Sequence, residues 1–322
     1  MKRKLKNYAF SNIEIRILKE VADENHSLSL LRKRLSIKPS YLSKNLKKLR
    51  QKGMIVFQKK KHTLKKFKLR KYVYFDNSKH ASLLRELLVT YNHIKWEDIL
   101  SGLGIEVLFK ILDHFEITFE SFSKVTFWRY SKEFMALGLV IFDDRGYRIN
   151  PRFSVLANFL TEYQKFLLNT LVKSISEKAV ILWQKDFECL IRVPRNSVAF
   201  QTRFLKTATS RLNDFGIQIF SDFDIYFHSK EKKRIRAEDV ILHTLLIERD
   251  NVRYVTYSLL LLKKNLREMD KEYLLKESQR LDLGLQVNAM LLFLKTKGVR
   301  RGRALPTWGE FVVKAREYEV AN

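Results

Sequence analysis

The chain has 322 residues, with 62 Lys and Arg against 35 Asp and Glu, and a formal net charge of +27. An apolar fraction of 46 %, with 12 % aromatics, is enough to build packed cores and excludes a disordered basic tail. A single Cys excludes an internal disulfide and any multi-Cys zinc or iron–sulfur site. The longest wholly apolar run, Phe134–Phe142, is far shorter than the roughly 20 residues a membrane span needs. No long apolar segment follows the basic start MKRKLKNYAF, so it does not read as a signal peptide. A cytoplasmic protein with no membrane partner is expected, and nucleic acid is the default partner for such a charge.

The charge is localised. Residues 1–80 hold 24 Lys and Arg against 5 Asp and Glu, a net of +19, which is about 70 % of the whole excess. Residues 81–160 are nearly neutral. A block of this kind suits a module that contacts phosphates, because affinity for duplex DNA grows with the number of phosphates neutralised.

Within that block, Ile13, Ile17 and Val21 recur at i, i+4 and i+8 with Leu18 beside them, one face of a helix that Ser11 or Asn12 can cap. His26-Ser27 breaks the pattern, and Leu28, Leu31 and Leu35 make a short second helix. Ser36-Ile37-Lys38 is a tight connection. Pro39 suits the first position of a third helix, where its missing N–H costs nothing. Leu42, Leu46 and Leu49 form the buried stripe of that helix, and Gly53 ends it with a left-handed cap. Met54–Phe57 and Tyr72–Phe75 read as strands joined by the basic run KKKHTLKKFKLRK.

That order is the order of a winged helix-turn-helix. SLSLLRKRLSIKPSYLSKNLKKLRQKGMIVF resembles the MarR/ArsR-type winged-helix repressors of archaea and bacteria, within a match of about 65 residues. The resemblance implies a third helix that enters the major groove of double-stranded DNA N-terminus first. With the leucine stripe buried, Ser40, Tyr41, Lys44, Lys47, Lys48 and Gln51 lie on other faces. Ser40, Tyr41, Lys44 and Lys47 suit the groove, and Ser40 and Ser43 suit bonds to bases or phosphates. Lys48 suits a backbone phosphate. The wing lysines Lys59, Lys60, Lys61, Lys65 and Lys66 suit an adjacent groove or backbone.

Leu83, Leu84, Leu87 and Leu88 mark a connecting helix, and Trp96–Leu100 another. A second three-part pattern follows. Ile105, Leu108, Ile111 and Leu112 mark a helix, Thr118–Val125 a short one, and Phe127–Leu137 a third, closed by Gly138. Leu139–Phe142, the turn Asp143-Asp144-Arg145-Gly146 and Tyr147–Asn150 then read as a hairpin. YSKEFMALGLVIFDDRGYRIN again resembles the third helix and wing of a winged helix. Its acidic turn favours packing, dimerisation or protein contacts over DNA. Val155–Ile175 reads as a long linker or dimerisation helix.

In the last third, Ala179–Trp183, Phe187–Val193, Ile217–Phe220 and Ile225–Phe227 read as strands. Ala199–Phe215, Ala237–Ile247, Val252–Lys264, Tyr273–Arg280 and Val287–Leu294 read as helices. SDFDIYF resembles the metal-binding strand of nucleotidyltransferases of toxin–antitoxin systems, which would assign Asp222 and Asp224 to Mg²⁺. The Gly-Ser that such enzymes place before this strand is absent, since LNDFGIQIF has Gly216 without the Ser. Asp222 and Asp224 are therefore read as turn and cap residues, Cys189 as a core thiol, and His243 as a core or interface residue. The seven His show no metal-ligand spacing, so no catalytic residue, metal or cofactor is assigned. KGVRRGRALPTW, with Lys297, Arg300, Arg301 and Arg303, reads as a basic loop.

The expected fold class is mainly α with α+β: tandem winged helix-turn-helix modules at 1–78 and 79–175, then a C-terminal α+β domain at 176–322. The leading functional reading is a DNA-binding transcriptional regulator. A toxin–antitoxin or nucleotidyltransferase-like protein and a non-specific architectural or RNA-binding protein remain as alternatives.

Overall fold

A computed structural model describes residues 8–61, 69–112, 123–144, 146–195, 204–229, 232–298 and 304–320. The chain is of mixed α+β class, mostly helical with small antiparallel sheets. It divides into two compact units, Met1–Leu167 and Leu168–Asn322.

The first unit opens with α1 (Asn12–Asp23), whose cap residue Ser11 donates its N–H to Glu14 Oε2 at 2.8 Å. Then come β1 (His26–Ser27), α2 (Leu28–Leu35), α3 (Pro39–Gln51), β2 (Ile55–Lys61) and β3 (Leu69–Phe75). Ser27 caps α2 by accepting the Leu30 N–H at 3.3 Å. Ser36 takes the left-handed conformation at the end of α2, which allows the tight connection to Pro39. The sheet runs β1-β3-β2, so the dipeptide that breaks the helical pattern pairs with Tyr72 and Val73. Ile13, Ile17, Leu18, Val21, Leu31, Leu35, Leu42, Leu46 and Leu49 are all buried, so each apolar stripe faces inward.

The same unit continues with α4 (Lys79–Thr90), α5 (Trp96–Ile99), α6 (Leu103–Leu112), α7 (Lys124–Ala136), β4 (Val140–Asp143), β5 (Gly146–Ile149) and α8 (Ser154–Lys173). The chain division falls inside α8, whose last turns from Leu168 belong to the second unit. Aromatic packing ties α4 to α8. The His80 ring of α4 stacks on Phe166 and Tyr163 of α8, at 4.3 Å and 5.8 Å between centroids, and donates its Nε2–H to the Lys52 carbonyl at 3.1 Å. Burial lowers the His80 pKa, which keeps the ring neutral for that role.

Gly53 sits against this stack with φ +66°, and an added Cβ would lie 2.7 Å from Phe166 Cζ and 3.0 Å from His80 Nε2. Gly53→Ala therefore combines left-handed strain with overpacking and is expected to cost about 2–4 kcal/mol. Denaturant unfolding checks this, and an unchanged midpoint would refute it.

The second unit holds β6 (Val180–Lys185), β7 (Glu188–Pro194), β8 (Phe204–Lys206) and β9 (Phe223–His228), ordered β6-β7-β9-β8 and antiparallel throughout. Alternation covers both faces. Cys189, Ile191, Val193 and Tyr226 pack with Leu168, Val172 and Ile175. Leu190, Ile225 and Phe227 join a larger core built by α9 (Ala237–Ile247), α10 (Val252–Lys264), α11 (Lys271–Arg280), α12 (Gly284–Thr296) and α13 (Trp308–Glu317). Residues 238–246 of α9 are all buried, the polar Glu238, Asp239, His243 and Thr244 among them.

Three expectations are corrected. Ala199–Phe215 is not a helix: Phe204–Lys206 pairs with β9, Ala208–Phe215 is a 3-10 helix, and the first residues of that span lie outside the described ones. Ile217–Phe220 forms no strand among the described residues; Ile219 N–H instead donates to Asn213 Oδ1 at 2.8 Å. Asp224 is neither turn nor cap but lies within β9, where Lys206 Nζ at 2.9 Å and Arg195 Nε at 3.8 Å neutralise it. The expected short helix Thr118–Val125 lies mostly outside the described residues, and its end forms the start of α7.

Candidate nucleic-acid interface

The burial of Leu42, Asn45, Leu46 and Leu49 fixes which side of α3 faces outward. Ser40, Lys44 and Lys47, spaced i, i+4 and i+7, line the outermost face, and all are exposed. Tyr41, 48 % exposed, and half-buried Lys48 flank them on one side. On the other side Ser43, Lys47 and Arg50 turn toward α2 and the hairpin.

There a groove of about 440 Å³ opens. Leu28, Ser29 and Arg32 come from α2, Pro39, Leu42 and Leu46 join from α3, and Phe57 and Lys71 come from β2 and β3. Lys71 Nζ sits 3.9 Å from the centre of the Phe57 ring, a cation–π contact that holds it at the groove. Among the described residues, Arg32, Lys44, Lys47, Arg50 and Lys71 make no ion pair. In the same unit Glu20 pairs with Arg34 at 3.2 Å and Glu14 with Lys52 at 2.8 Å.

The hairpin register adds a second electrostatic feature. Lys59 stands directly opposite Lys71. Like charges facing each other across strands are destabilising unless an anion lies between or over them. Lys59 is exposed. Lys60 and Lys61 are in β2, and Lys65 and Lys66 lie outside the described residues.

The structure thus brings Ser40, Ser43, Lys44 and Lys47 onto the outward half of α3, with Tyr41 and Lys48 at its margin. Arg32, Arg50 and Lys71 were not singled out from sequence. Arg50 carried a signal, the i, i+4, i+7 spacing Ser43–Lys47–Arg50. Arg32 and Lys71 carried none, because their convergence depends on how α2 and the hairpin pack.

The α7–β5 segment is different. Asp143 pairs with Arg148, and Val125, Trp128 and Phe142 are exposed at its α7 and β4. Lys132 Nζ lies 5.2 Å from the Trp128 ring centre.

In the second unit, ionisable groups are buried in pairs. Lys232 Nζ bonds Asp239 and, at 3.0 Å, Glu277, while Tyr273 Oη–H donates to Asp239 at 2.8 Å. Arg280 bonds Glu277 at 3.0 Å and also Glu188. His243 stacks on Phe227 at 4.1 Å with Nδ1 2.8 Å from Thr207 Oγ1. Burial, with Lys232 and Arg280 adding to it, drives its pKa well down, so it is neutral. Burial pushes the Cys189 thiol up to about 12, far from a reactive thiolate. Among the described residues there is no group of three or more His, Cys, Asp or Glu placed to hold a metal ion, and no helix long and apolar enough to cross a membrane.

A protein-family model described as HVO_2833_C, C-terminal, matches residues 201–320, just over a third of the chain. The similarity spans β8, β9 and α9–α13. No curated protein and no solved structure matches the chain.

Proposed function

We propose that the protein binds duplex DNA through α3 and the β2–β3 hairpin, and acts as a transcriptional regulator. The observation that carries this is the set of exposed cations on α2, α3 and the hairpin that make no ion pair among the described residues, reinforced by the facing lysines of the hairpin. Groups placed this way stabilise little within the protein and suit an external polyanion. The outer line of α3, Ser40, Lys44 and Lys47, contacts base edges and phosphates, while Lys48 and Lys59 contact backbone. The second module, with its acidic turn and exposed Trp128, serves contact with protein, a second copy included.

The test is duplex binding measured across salt concentrations. Wild type gives a steep negative slope of log affinity against log salt. Lys44→Ala/Lys47→Ala flattens that slope by about 2, one unit for each lost phosphate contact. Salt-insensitive binding, or full affinity in the double variant, rejects the reading. Competition between a selected duplex and random duplexes separates a regulator from a non-specific architectural protein.

A further inference from the structure

The groove beside α3 has chemistry that a DNA backbone leaves half used. Its apolar lining comes from Leu28, Pro39, Leu42, Leu46 and Phe57. Its rim holds four exposed cations, Arg32, Lys47, Arg50 and Lys71, none of them ion-paired among the described residues. Its volume of about 440 Å³ lies in the range of small-molecule sites. Duplex phosphates satisfy the rim but offer nothing apolar for the lining. A simple carboxylate covers the lining only if it carries an apolar body, and it leaves most of the positive charge unbalanced. A flat ring system bearing two to four negative charges matches both parts.

We propose that this groove binds a nucleoside di- or triphosphate, with the base against its apolar lining of Leu28, Pro39 and Phe57 and the phosphates among Arg32, Arg50 and Lys71. Arg forks suit phosphate oxygens in pairs, and Lys71 is positioned for the same anion by its seat on Phe57. Ser43 and Lys47 belong both to this groove and to the side of α3 assigned to DNA. Nucleotide and duplex therefore exclude each other. That consequence rests on the DNA reading, whereas nucleotide binding itself does not.

The experiment uses the full chain and a fluorescent N-methylanthraniloyl ADP, first without DNA. The expected result is saturable binding, displaced by ADP but not by adenosine or pyrophosphate at the same concentration. Arg50→Ala/Lys71→Ala, at exposed positions, weakens it roughly tenfold or more with an unchanged thermal midpoint. No saturable binding overturns the proposal, as does equal displacement by pyrophosphate or by an aromatic carboxylate, or full affinity in the double variant. A labelled duplex is then added. ADP that raises the apparent Kd of the duplex supports exclusion, and duplex binding indifferent to ADP overturns it. If ADP binds and no duplex does, the groove assignment stands and the DNA reading fails.

Discussion

Glu14→Gln or Lys52→Met alone lowers the stability of the first unit by about 3–5 kcal/mol, because each leaves the other partner buried without its counter-charge. The Glu14 side chain is 1 % exposed and that of Lys52 7 %. Lys52 Nζ donates to Glu14 at 2.8 Å and to the Ala9 carbonyl at 2.7 Å, and lies 4.7 Å from the centre of the Phe10 ring. Burial nevertheless lowers the Lys52 pKa, and Glu14 only partly offsets it. The pair is thus costly to break but not a net source of stability. The double variant Glu14→Gln/Lys52→Met is expected to regain most of the loss, since removing both charges removes both desolvation penalties. Denaturant unfolding of the four proteins checks this, and additive losses would contradict it.

Lys232→Met is expected to cost the second unit a similar amount, about 3–5 kcal/mol, but with the opposite electrostatic signature. Burial again pulls the Lys232 pKa down, but Asp239 and Glu277, with the bonds from Asp239 and Tyr273, reverse this and hold it above 10.5. A lysine whose pKa is raised by folding contributes its full stabilisation below the unfolded value of 10.5 and loses it as pH climbs through the folded value. Lys52, with its pKa depressed, does the reverse: its burial cost is fully present below the folded value and is gone above 10.5. Unfolding followed above pH 10 is therefore expected to show Lys232→Met less sensitive to alkali than wild type. Parallel curves would reject the assignment.

The elements legible in the sequence were those whose signal is local. Helices α1 to α3 follow from leucine and isoleucine spacing together with Pro39 and Gly53, and the hairpin β4–β5 from its turn residues. What failed depended on distant partners. Phe204–Lys206 has helix-like neighbours, yet it completes a sheet by pairing with Tyr226–His228, and Ala208 follows with φ +52°. Ile217 and Ile219 are buried while Gln218 and Phe220 are exposed, so the alternation is that of a strand, yet no strand pairs with it among the described residues. Helix α13 carries a local signal that the sequence reading leaves unused, Thr307 and Glu310 bonding as a capping box. The candidate interface divides the same way. The outward residues of α3 follow from the buried stripe, whereas Arg32 and Lys71 are joined to it only by packing.

The stack of His80, Tyr163 and Phe166 against the end of α3 has an entropic meaning. A DNA-reading arm on a loose tether would have to be immobilised at each encounter, and that ordering would be subtracted from its affinity. Here the helix proposed to read DNA ends at Lys52, whose carbonyl is bonded to His80, and the next residue, Gly53, is wedged against Phe166. The orientation of α3 is thus set before any partner arrives. Whatever repacks α4 against α8 re-aims that helix without touching a residue that faces the nucleic acid.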